Sequence, residues 1–170
     1  MTLQTGMMLL ATKMPLDMMI SKMSEGMVET LKIFFLTLLF SLPLGLVIAF
    51  GRMAKNRIIR YIVTVYIAIM RGTPLMLQVM AIYFGPNYLL HIRIPRSYRF
   101  IAIIVAFALN YAAYFAEIYR SGIESMPIGQ YEAARLLGYN KAQTFFKIIL
   151  PQVIKRILPS ITNEVICLVK

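Results

Sequence analysis

The sequence predicts an all-α membrane protein, on three observations. Of its 170 residues, 59% are hydrophobic and only 15% are charged, against about 45–50% and about 25% in an average soluble domain. The mean hydropathy is +0.71. Apolar runs near the length that crosses a bilayer alternate with short basic stretches, the pattern of membrane spans and their loops. The formal net charge of +11 therefore reads as loop charge. Nucleic-acid binders instead spread basic residues over a soluble surface, so nucleic acid is excluded as a partner and membrane lipid is expected.

Each element follows from length and punctuation. Residues 1–24 are methionine-rich but broken by Lys13, Pro15 and Asp17. They form no signal-peptide apolar core and are expected as an external segment. A hydrocarbon core about 30 Å thick needs about 20 apolar helical residues. The first run that qualifies is 27–50, with Pro43 and Gly45 inside it. The loop after it carries Arg52, Lys55, Arg57 and Arg60 and no acid. It is expected in the cytoplasm, with the N-terminus outside.

A second span is expected at 58–84, with "RGTP" (71–74) in its middle. An irregular external loop follows, holding Gly85, Pro86, His91, Arg93, Pro95, Arg96 and Arg99. A third span is expected at 100–119 and a fourth at 153–170. The polar segment 120–152 between them is a second cytoplasmic region. One cysteine, Cys167, excludes an intrachain disulfide, and one histidine, His91, excludes a multi-histidine metal site. The chain has no phosphate-binding G-x-x-x-x-G-K-[ST] stretch. No nucleophile, base and orienting group converge at a recognisable spacing, so no catalytic residue is assigned.

The 120–152 segment reads as two helices with a break. Pro127 suits a helix start and Gly138 a left-handed C-terminal cap. Asn140 and Gln143 fit a capping box opening a second helix, which Pro151 is expected to end or kink. The first helix mixes Glu132 and Arg135 with Ala133, Ala134, Leu136 and Leu137. Such a helix either docks into a groove on a partner protein or lies on lipid headgroups.

Deep in the spans, Arg71 is a functional candidate by default, since a charge there needs a partner or a watery cavity. Gly72 and Pro74 beside it are expected to break the helix, and broken helices commonly meet substrate at mid-membrane. Thr73 and Gln78 share that segment. Asn163 and Glu164 lie in the fourth run, and Glu164 and Arg71 are expected to flank a substrate path. Glu117 and Arg120, one turn apart, read as a local salt bridge. Asn110 is placed to bond a neighbouring helix.

Glu132, Ala133, Ala134, Gly138, Ile148, Leu150 and Pro151 resemble the EAA loop, E-A-A-x3-G-x9-I-x-L-P, of permease subunits in binding-protein-dependent ABC importers. "RGTPLMLQ" (71–78), "AEIYRSGIESMPIGQYEAA" and "ITNEVICLVK" are similar to stretches of the polar amino-acid permeases. The likeness covers about residues 25–170.

That resemblance implies a type I importer permease fold of the MetI-like kind, with four spans present of five and a cytoplasmic coupling helix. The family continues beyond the position of Lys170, so a truncated form is expected. The resemblance further implies an inner-membrane, multi-pass subunit that imports polar amino acids. Its partners would be a dimer of ATPase subunits, a second permease subunit and an extracytoplasmic amino-acid-binding protein. ATP and magnesium would be bound by the ATPase, with no cofactor in this chain. Glu132, Ala133, Ala134, Arg135, Leu137 and Gly138 are implied to be the ATPase-coupling residues. The alternatives are a permease for an opine or other amino-acid derivative, and a transport-incompetent membrane scaffold.

Overall fold

A computed structural model describes residues 15–91, 95 and 98–169. Arg93, Arg96, Lys170 and the first fourteen residues lie outside that set. The described residues are almost wholly helical, without a strand. They form α1 (Leu16–Arg52), α2 (Arg57–Gly72), α3 (Leu75–Leu90), α4 (Tyr98–Glu124) and α5 (Ile128–Leu136). A short α6 (Lys141–Gln143) then runs through a π-helical segment, Thr144–Ile149, into α7 (Leu150–Val169). The chain divides into two compact units at 35/36, and the packed helices lie in the larger, C-terminal one.

α4 is the hub, packed against α2, α3 and α7. Its inward faces are alanine: Ala102, Ala106, Ala112, Ala113 and Ala116 are fully buried. Apolar burial gives little drive between helices in lipid, so close approach through small residues provides the cohesion. α1 answers with Thr37, Ser41, Gly45 and Ala49, buried at four-residue intervals along one stripe. Tyrosine hydroxyls add ties. Tyr66 donates to the Leu109 carbonyl at 2.7 Å, and Tyr119 to that of Leu42 at 3.5 Å.

Several expectations are revised. The helix that holds the 27–50 run begins earlier, at Leu16, because the polar side chains before Met27 do not break a helix. The irregular loop expected from Gly85 is helical to Leu90, with Gly85 and Pro86 inside α3. A helical proline orphans the carbonyl four residues before it. Here that carbonyl, of Ile82, accepts the Tyr98 hydroxyl at 3.3 Å. His91 then closes α3 in the left-handed region, at φ 52°.

The 58–84 run is two helices bent by 109°. Among the described residues, α1 and α4 are each long and apolar enough to cross a membrane, and the bent α2–α3 pair makes a third if counted as one span. The run at 153–170 is helical through Val169, with Lys155, Arg156 and Glu164 inside it, and it is not among the described helices long and apolar enough to cross a membrane.

Candidate functional site: a broken membrane helix and a capped turn

Two places concentrate polar structure. The first is the break between α2 and α3. Thr73 and Pro74 are both extended, at φ −114°, ψ 144° and φ −61°, ψ 135°, because a residue before proline is forced out of the helical region. Pro74 has no N–H for the carbonyl of Met70. Two amides take its place: Gln78 Nε2 donates to Met70 O at 2.9 Å and Asn110 Nδ2 at 3.0 Å. Asn110 Nδ2 also reaches Gln78 Oε1 at 3.0 Å. Gln78 closes the loop on Thr73, at 3.1 Å to its carbonyl and 2.8 Å to its hydroxyl.

Gln78 and Thr73 are therefore engaged in holding the bend. Asn110 does bond a neighbouring helix, and its target is the break. Replacing Gln78 with leucine removes one of the two amides on Met70 O. Asn110 still meets that carbonyl but loses its own contact to Gln78 Oε1; at about 0.5–1.5 kcal/mol per lost hydrogen bond, the detergent-solubilised variant is expected to melt a few degrees lower. Unchanged melting would show that Asn110 alone suffices.

Arg71 is solvent-exposed. Its guanidinium lies 5.1 Å from the centre of the Tyr114 ring, within range of a cation–π attraction. It makes no ion pair among the described residues. Glu164, half-buried on α7, makes none either, and Asn163 beside it is exposed. So Arg71 and Glu164 do not neutralise one another directly. Sequence reasoning missed Tyr114. The available signal was its place one turn after Asn110, on the face of α4 that meets the break.

The second place is the segment after α4. Its approach is fixed by charge: Glu117 accepts Arg120 Nε at 2.9 Å and Nη2 at 2.6 Å and lies 3.5 Å from Arg52, while Arg120 also pairs with Glu124. The expected local pair is thus part of a network joining α1 to α4. Arg156 of α7 donates to the Ser125 carbonyl at 3.0 Å. Below it, Met126, Ile149, Val153 and Ile157 are buried together.

On α5 the two alanines divide. Ala134 is 1% exposed and lets the helix lie against the π-helical segment. Ala133, Glu132 and Arg135 face outward. Leu136 and Leu137, 89% and 74% exposed, are apolar surface left open among the described residues. The turn that follows is a Schellman closure: Tyr139 N–H to Ala134 O and Gly138 N–H to Arg135 O, both 3.0 Å. It needs a left-handed residue, and Gly138 sits at φ +78°.

The expected capping box is present. Asn140 Oδ1 accepts Gln143 N–H at 2.9 Å, and Gln143 Oε1 accepts Asn140 N–H at 3.1 Å. Pro151 does not end the helix. The wide turn Thr144–Ile149 comes immediately before it, easing the pyrrolidine ring past the Lys147 carbonyl that a regular turn would press against it. Such π-turns inside α-helices occur frequently at functional sites.

Residues 41–170 match the family described as the binding-protein-dependent transport system inner membrane component. The chain belongs to this family. Two relatives carry the names of permeases. It is 42% identical over 146 residues to a protein of Rickettsia bellii that bears the name of a glutamine transport system permease, GlnP. That alignment covers 86% of this chain and 66% of the relative. The arginine transport system permease protein ArtQ of Bacillus subtilis is 41% identical, over 86% of this chain and 65% of its own length. The chain therefore spans just under two thirds of these relatives.

In three dimensions the chain superposes on a crystal structure of an amino acid ABC transporter with histidines. The TM-score is 0.78 at 37% identity, over 92% of this chain and 73% of the other. An inward-facing MetNI methionine ABC transporter, at TM-score 0.62 and 22% identity, shares the fold. The permease fold expected from the EAA loop is the fold observed.

Proposed function

We propose that this chain is the membrane-spanning permease subunit of an ATP-driven importer of polar amino acids. In this reading α5 is the coupling helix, gripped on the cytoplasmic side by one subunit of an ATPase dimer that binds ATP and magnesium. A second permease subunit completes the pathway, and an extracytoplasmic receptor delivers the amino acid. The basic Arg52–Arg60 loop lies in the cytoplasm and the N-terminus outside. The observation that carries this reading is the exposed Leu136–Leu137 pair, held by Ala134 and the Gly138 turn within the seven-position EAA motif. The names of the similar proteins support an amino acid as cargo. The break at Arg71, with Glu164 on α7, is the proposed substrate path: a cation for the carboxylate and a carboxylate for the ammonium group.

The test is co-expression with an ATPase and a receptor of the amino-acid importer class, followed by reconstitution. ATP-dependent uptake of labelled arginine or glutamine is expected, with Glu164→Gln lowering it at least ten-fold. Failure of any ATPase to co-purify with the chain would overturn the coupling role. Unchanged uptake in Glu164→Gln would remove Glu164 from the path.

A further inference from the structure

α2 has three faces, and one of them has no assigned use. At 100° per residue, Val63, Tyr66, Ile67 and Met70 fall in one sector, and this sector packs into the core with Ala113 and Ala116. Ile58, Ile62, Val65 and Ile69 fall in a second, all well exposed, as a lipid-facing surface would be. The third sector holds Arg57, Arg60, Thr64 and Arg71, at positions i, i+3, i+7 and i+14. It is neither core nor lipid face.

The three arginines are exposed, and none forms an ion pair among the described residues. Neighbouring Arg52, by contrast, is held by Glu117. Thr64 is half-buried and turns its hydroxyl back onto the Arg60 carbonyl at 2.6 Å, leaving a small side chain between the cations. A guanidinium as deep as Arg71 is not left facing hydrocarbon. The stripe therefore fronts water or protein. It runs about 16 Å from Arg60 to Arg71, from the basic loop to the break.

We infer that this stripe is the wall of an aqueous passage from the break to the cytoplasmic face, along which a carboxylate-bearing solute moves from Arg71 past Thr64 to Arg60. The inference rests on the permease reading above and deepens it by naming the group recognised. Arg71 is steadied over Tyr114 without a carboxylate of its own, which leaves its charge for the solute. Arg60 and Arg57 then present cations where the solute leaves.

The experiment is cysteine accessibility in the assembled complex in proteoliposomes, on a Cys167→Ser background. Single variants Arg60→Cys, Thr64→Cys and Ile62→Cys are exposed to two membrane-impermeant thiol reagents of similar size, one anionic and one cationic. Positions 60 and 64 are expected to react at least ten-fold faster than 62. At Thr64→Cys, the anionic reagent should outpace the cationic one several-fold, because Arg60 and Arg71 flank it. Reaction at 60 but not at 64 would overturn the passage and leave a headgroup-facing arginine. Equal rates for the two reagents at 64 would overturn its charge selectivity. Labelling needs no transport, so its result stands apart from that of the uptake assay.

Discussion

Gly45→Ala is expected to destabilise the chain by about 1–3 kcal/mol, the usual cost of overpacking a tight contact. A Cβ at position 45 would meet Phe115 Cβ at 2.8 Å and the Ala112 carbonyl at 3.1 Å. Both belong to the backbone level of α4, so no flexible side-chain end can swing away and the helices must part. At roughly 2–4 °C per kcal/mol, the loss reads as a lower melting temperature by size-exclusion in detergent. Gly26→Ala is the control: a Cβ there meets nothing within 4 Å, and helix propensity favours alanine. Equal behaviour of the two variants would show that α1 and α4 do not depend on the close approach.

The second large effect is functional. Gly138→Val places a β-branched residue at φ +78°, where even an unbranched L-residue is strained by about 1–2 kcal/mol. The Schellman closure should open and α5 lose its fixed angle to the π-helical segment. On the permease function proposed above, receptor-stimulated ATP hydrolysis in the reconstituted complex should fall at least ten-fold while insertion into the membrane is unaffected. Gly138→Asn should retain most of it, since asparagine tolerates the left-handed region. If valine coupled as well as glycine, the turn would not be what sets the angle of α5.

The segment 127–143 was readable in the sequence because its rules are local. Pro127, Gly138, Asn140 and Gln143 act on neighbours within five residues, and each occupies the structural position its chemistry predicts. The break at Gly72–Pro74 was readable for the same reason. What the break does with its orphaned carbonyl was not, because Asn110 reaches Met70 across 40 residues of sequence. Tyr114 meets Arg71 from the same distant helix.

The persistence of α3 past Pro86 had the same cause, a tyrosine twelve residues downstream. The wide turn before Pro151 left no composition signal, because a π-turn is the helix yielding to strain rather than a residue preference. Exposure was equally hidden: nothing in "EAARLLG" says that Ala134 rather than Ala133 turns inward.

The carbonyl of Met70 links three positions that drift would otherwise treat separately. While Pro74 stands, Gln78 and Asn110 must both supply what its missing N–H cannot. Once Pro74 gives way to a residue with an amide hydrogen, that demand lapses and apolar side chains become admissible at both. The three positions should change together or not at all. Homologues assembled by random recombination between 74 and 110 should therefore be enriched, among survivors, for those that inherit all three from one parent.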